Sequence, residues 1–146
     1  MKKVLPILIL MVSTAFSCSN KTLNTTSNQM PDAPFTNTRW KLVKLPGMEM
    51  PSLNKDAFIQ FTTENNRAFG SGGCNNLMGS YTLTEKKLKI SQMASTMMAC
   101  TEDIMKVEDA FSKALIETDN YSIAGDTLKL MKGDTVLAEL AALYLR

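Results

Sequence analysis

Along most of this chain apolar residues fall at every second position in short runs, and that alternation narrows the possible folds more than any other feature. In RWKLVKL, Trp40 and Leu42 alternate with Lys41 and Val43. In AFIQFT, Ala57, Ile59 and Phe61 share one face, and the pairs Tyr81/Leu83 and Leu88/Ile90 repeat the pattern. A strand turns successive side chains to opposite faces, so this period predicts half-buried antiparallel strands. The tripeptide GDT occurs at 125–127 and again at 133–135, bracketing LKLMK. Two glycine turns so close together fit a meander of hairpins.

One segment departs from this period. In TEDIMKVEDAFSKALIET the apolar residues Ile104, Val107, Phe111, Ala114 and Leu115 stand at helical spacing. Thr101 offers a cap, and Glu102 and Asp103 favour the positive end of a helix dipole. The spacing predicts a helix over about 101–118. The closing VLAELAALYLR has a helical composition but follows a hairpin turn, so it is read as strand through Leu140, with 141–146 left open. The expected fold class is α+β: a curved antiparallel β-sheet or cracked β-barrel meander of about six to eight strands with one inserted helix. A sheet wrapped on its helix buries the helix and leaves few open edges.

The start of the chain reads as targeting. In MKKVLPILILMVSTAFSCSN, Lys2 and Lys3 precede an apolar run from Val4 to Val12 that only Pro6 interrupts. A membrane span needs about 20 apolar residues, so the run suits a secretory signal instead. Cys18 at its end resembles the lipobox cysteine of bacterial lipoproteins, which is acylated and becomes the mature N-terminus. Ala15 stands where that pattern prefers leucine, and an ordinary cleaved signal with an incidental Cys18 is the alternative. The expected organisation is a lipoprotein signal peptide over 1–17, a flexible tether over 18–37 and one domain over 38–146. The tether is rich in Ser, Thr, Asn and Pro and poor in groups to bury. Ser19 and Asn20 follow the cysteine, with no aspartate beside it. This resembles lipoproteins passed to the outer membrane, and predicts a lipid-anchored location in the cell envelope.

Charge and cysteine usage agree with export. The formal net charge of +2 is carried by Lys2 and Lys3, so the chain without its signal is balanced. It has no cationic surplus for phosphates, which argues against nucleic acid as a partner. Of three cysteines, lipidation of Cys18 leaves Cys74 and Cys100 as a pair in an oxidising compartment. The alternative is a thiol-dependent redox protein or enzyme using Cys74 or Cys100. No Lys or Arg lies between Phe69 and Tyr81 to lower the Cys74 pKa, but Cys100 stands just before the predicted helix. The chain has no histidine, which removes imidazole-based catalysis and imidazole-ligated zinc. Met48, Met50, Met93, Met97, Met98 and Met105 raise a further alternative, a copper-binding envelope protein. Met97 and Met98 are adjacent on an expected strand and face opposite ways, so the methionines are read as core filler. The reading implies no cofactor and no metal.

The stretch GSGGCNNLMGSY, residues 70–81, carries the motif of most interest. Its glycines at 70, 72, 73 and 79 permit positive φ and close backbone approach, and Asn75 and Asn76 tolerate left-handed conformations. It lacks both the GK[ST] of a P-loop and the third glycine of a dinucleotide fingerprint. We read it as a sharp turn whose Cys74 anchors to Cys100. Together with STMMAC, with Glu108, Phe111 and Leu115, and with Trp40, Leu42 and Gly47, it resembles the META domain (HslJ-like) family between Thr38 and Leu140. The resemblance rests on the order GCN…G-x-Y…ST-x-x-x-C…E-x-x-F. It assigns Gly72, Gly73, Asn75, Gly79, Tyr81, Thr96 and Glu108 to the shared structural motif. Met97 stands where many members carry a basic residue.

The resemblance implies a β-rich fold like a cracked barrel, a role in envelope stress or antibiotic tolerance, and no catalytic activity. The functional expectation is a non-enzymatic, membrane-anchored lipoprotein that binds an envelope protein or an apolar ligand, for which an apolar cavity between helix and sheet would speak. Glu108 lies at the edge of the helical apolar stripe and has two readings. It is either a solvated carboxylate or a buried one accepting hydrogen bonds from backbone N–H groups or Asn75.

Overall fold

The computed structural model describes residues 31–85 and 87–144. The expectations for residues 1–17 and for Cys18 lie outside the described residues. Eight strands follow one another around a closed antiparallel barrel: β1 (Arg39–Lys44), β2 (Phe58–Phe61), β3 (Arg67–Ser71), β4 (Asn76–Thr84), β5 (Lys87–Ser95), β6 (Asn120–Ala124), β7 (Thr127–Lys132) and β8 (Thr135–Leu143). Among the described residues there is one α-helix, α1 (Glu102–Glu117), inserted between β5 and β6.

The α+β class and the meander are as expected, but the sheet is closed rather than merely curved or cracked. Closure comes from β8 pairing with β1, Trp40 opposite Ala142 and Leu42 opposite Leu140. The expected crack persists as a thin seam. β5 meets β6 through one register pair, Lys87 with Asn120, reinforced by the Leu88 N–H donating to the Asp119 carbonyl at 3.0 Å. β8 also extends past Leu140 to Leu143, so the ambiguous C-terminal run is strand through that point.

The alternation in sequence becomes the inner and outer walls of the barrel. Trp40, Ile59, Phe61, Leu88, Ile90, Leu128, Leu130 and Leu140 point inward and are fully buried. Val107, Phe111, Ala114 and Leu115 of α1 join the same core. The interior is a packed core, as in other small barrels. Thr101 occupies the helix N-cap position, but its side chain makes no capping bond; the first turn closes through the Met105 N–H to the Thr101 carbonyl at 3.1 Å.

The structured domain begins before the expected boundary. Ala33 and Phe35 are buried, although the sequence reading placed 18–37 in a tether. The Ala33 N–H donates to the Gly125 carbonyl at 2.9 Å, and the Gly125 N–H donates to Asp32 Oδ1 at 2.7 Å. Phe35 stacks on Phe61 with centroids 4.5 Å apart and lies equally near Tyr121. Its carbonyl accepts the Trp40 indole N–H at 2.9 Å. A polar composition hides two apolar side chains that fill one end of the barrel, and these two decide the boundary.

The methionines also depart from expectation. Met48, Met50 and Met93 do pack against the core. Met97 is 99% exposed, and Met98 and Met105 are exposed as well. Met97 and Met98 follow the end of β5 and so do not obey strand alternation.

Candidate functional site

The glycine-rich stretch, the end of β5 and the first half of α1 converge on Asn75. Its side chain uses all of its hydrogen-bonding capacity. Oδ1 accepts from the Thr96 hydroxyl at 2.8 Å and from the Met98 N–H at 2.7 Å. Nδ2 donates to Glu108 Oε1 at 2.7 Å and to the Met98 carbonyl at 3.1 Å. The Asn75 backbone N–H donates to Glu108 Oε2 at 2.6 Å. Asparagine alone offers this pair of donors beside a two-fold acceptor on so short a side chain.

Glu108 is 8% exposed, so of its two readings the structure shows the buried one. Each carboxylate oxygen receives one N–H, the arrangement that offsets the cost of burying a charge. Gly72 is what lets Glu108 approach. A Cβ there would collide with Glu108 Cγ and lie 2.7 Å from Oε2. Gly73 is the one glycine of this stretch with positive φ, at +105°. Gly79 serves close approach instead, since a Cβ would lie 2.6 Å from Met93 Sδ and 2.9 Å from the Ser91 carbonyl oxygen. Gly70 belongs with it, because a Cβ there would run into the Phe58 carbonyl oxygen. The sequence reading assigned both roles to all four positions; the backbone divides them.

Cys74 and Cys100 form a disulfide with Cα atoms 6.1 Å apart. It ties the glycine turn to the residue before the α1 cap, one position from Asn75. Thr96 holds the same junction from the strand side, donating to Asn75 and accepting the Asn76 N–H at 3.1 Å. Of the sequence-derived residues, the structure brings together Gly72, Gly73, Cys74, Asn75, Thr96, Cys100 and Glu108. Gly79 packs behind β5. Tyr81 belongs elsewhere, in the aromatic cluster. Its ring meets Phe61 edge-on at 5.2 Å, and its hydroxyl donates to the Thr62 carbonyl at 3.0 Å. Burial pushes its pKa up.

The match to known proteins fits this geometry. The META domain family matches residues 33–142, beginning at the first buried residue of the fold. The chain belongs to the META domain family. No curated protein matches it. Among solved structures, the META domain is similar to an NMR structure of a protein from Burkholderia xenovorans, at 26% identity and a TM-score of 0.61, over 76% of this chain and 85% of that one. A second protein solved by NMR is 22% identical with a TM-score of 0.59, over 73% of this chain and 91% of that one, and shows the fold alone.

Outside the motif, the META domain carries a cleft that sequence reading did not place. It lies between α1, the β1–β2 loop and β8, has a volume of about 320 Å³ and is lined largely by apolar groups such as Leu45, Met48, Ala110 and Leu137. Lys113 and Glu117 stand on its rim. Gly47, singled out by the family resemblance, contributes to its wall with φ +79°. The local signal was the small residues Ala110 and Ala114 on the helix, which leave room beside the core stripe.

Proposed function

We propose that this protein is a non-enzymatic, lipid-anchored envelope protein whose META domain binds an apolar side chain of a partner envelope protein in the cleft beside α1. The cleft carries this reading. Its volume is near the bottom of the about 300–1,000 Å³ range of small-molecule sites, and an apolar floor with a polar rim is the pattern of a protein contact. The filled barrel interior favours an occupant held on the outside over a lipid tail held within. A thiol-based activity is disfavoured because both domain cysteines are bonded to each other. Glu108 is held by two N–H donors and sits under the turn, where it supports structure.

Photo-crosslinking in cells from a probe at Lys113 tests the cleft. A discrete crosslinked species should form and should vanish when Ala110→Arg fills the cleft. An unchanged crosslink in that variant, or the same species from a probe at Ser122 on β6, would refute it. The anchor is tested separately. Each acyl methylene buried in a bilayer contributes about 0.8 kcal/mol, so a lipidated Cys18 holds the protein in the membrane fraction. Cys18→Ala should move it to the soluble fraction, and equal fractionation of the two forms would remove the lipoprotein reading.

A further inference from the structure

Arg39 opens β1 with its guanidinium over the Phe58 ring, the central carbon 4.1 Å from the ring centroid. Its Nε is buried and finds no hydrogen-bond partner, the one buried side-chain nitrogen or oxygen so placed among the described residues. The ion pairs among those residues engage Lys41, Lys106, Lys113 and Lys132, and none includes Arg39. A buried N–H on a charged group is costly to leave open, and such an atom in a native fold calls for an acceptor.

Beside it lies a hollow of about 350 Å³ lined by Arg39, Asn37, Thr38, Gln60, Leu143 and Tyr144, among others. Several of these groups are already engaged. The Thr38 hydroxyl donates to the Pro34 carbonyl at 2.6 Å, and the Tyr144 hydroxyl donates to Asp126 Oδ1 at 2.6 Å. The Asn37 N–H is taken by the Phe61 carbonyl. Gln60 stands directly opposite Arg39 in the β1–β2 ladder and lines the same hollow. The hollow therefore combines a positive fork and the neutral amides of Asn37 and Gln60 with two hydroxyls, of Thr38 and Tyr144, that are already engaged.

We propose that this hollow is a binding site for a phosphate-type oxyanion, held by the N–H fork of Arg39. A guanidinium presents parallel N–H groups that match two oxygens of one anion, which a lysine ammonium does not. The aromatic face behind it fixes the plane of the fork. The anion has two possible sources, a phospholipid headgroup or soluble phosphate. The headgroup source rests on the anchored reading. From Cys18 to Pro34 the chain spans at most about 55 Å, which leaves the hollow within reach of the membrane surface.

The test uses the unlipidated Cys18→Ser chain and inorganic phosphate, following the Arg39 Nε–H resonance by NMR. The resonance should shift saturably. Arg39→Lys, which keeps the charge and loses the fork, should weaken phosphate binding at least tenfold, whereas Arg67→Lys should not change it. Should Arg39→Lys fail to give a native amide spectrum, Gln60→Ala retains Arg39 and should weaken binding several-fold. Co-sedimentation with phosphatidylglycerol vesicles separates the sources. Arg39-dependent binding to these vesicles, absent with phosphatidylcholine alone, assigns the headgroup. A phosphate-dependent shift without vesicle binding assigns the soluble ion. An Arg39 Nε–H that phosphate leaves unmoved, with no Arg39-dependent vesicle binding, overturns the site, whatever the fractionation of Cys18→Ala shows.

Discussion

Asn75→Ala is expected to cost the domain about 3–5 kcal/mol, from the lost charge-assisted bond to Glu108 and the lost neutral bonds to Thr96 and Met98. The truncation removes one of the two N–H groups that compensate a buried carboxylate and leaves the Met98 N–H without its acceptor. For a domain of this size the melting temperature should fall by about 10–20 °C. Glu108→Gln keeps the shape but turns an amide nitrogen toward an N–H donor, and should cost about 2 kcal/mol. Asn75→Asp should be the most damaging at neutral pH, because it faces one carboxylate with another. Chemical denaturation checks all three. A loss below about 1 kcal/mol for Asn75→Ala would mean that this junction does not hold the fold together.

Breaking the disulfide should have an effect of similar size by a different route. Cys74 and Cys100 are 26 positions apart, and closing such a loop restricts the unfolded chain by about 3.5 kcal/mol in the chain-entropy account. Cys74→Ser and Cys100→Ser should lower the melting temperature equally, and the double variant should be no worse than either. The unreduced protein should weigh two hydrogens less than the reduced chain. Two freely alkylated thiols in protein taken from the envelope would contradict the bond and return the thiol-based reading to consideration. Because Cys74 adjoins Asn75, Cys74→Ser and Asn75→Ala act on one segment, and their combined cost should fall short of the sum.

What the sequence disclosed follows from the range of each interaction. Alternation at Trp40/Leu42 or Leu88/Ile90 and helical spacing from Ile104 to Leu115 are local, and local patterns predict local elements. The pairing of Cys74 with Cys100 was legible because counting leaves few choices. The meeting of Asn75 with Glu108 could be framed only as one of two options, since helical periodicity places Glu108 at the stripe edge without saying what covers it. Closure was not legible. It depends on β1 meeting β8 from opposite ends of the domain, and nothing near Trp40 encodes Ala142. The Phe35 plug was hidden by its polar neighbours, and the exposure of Met97 by the assumption that β5 continued past Ser95. The Arg39 hollow joins residues from three separate parts of the chain, so no motif announces it.

The union of β1 with β8 also fixes the order in which this domain can be completed. The outer edge of β1 has no strand to pair with until the last strand has been synthesised and delivered, about one domain length later. Until then β1 and β7 each present open backbone to any neighbouring chain, the condition under which strands add to the wrong partner. A chain cut short before Thr135 would keep every hairpin from β1 to β7 and still lack a closed ring. Completion of the ring thus waits on β8, and a partial product carries two unpaired edges open to wrong partners.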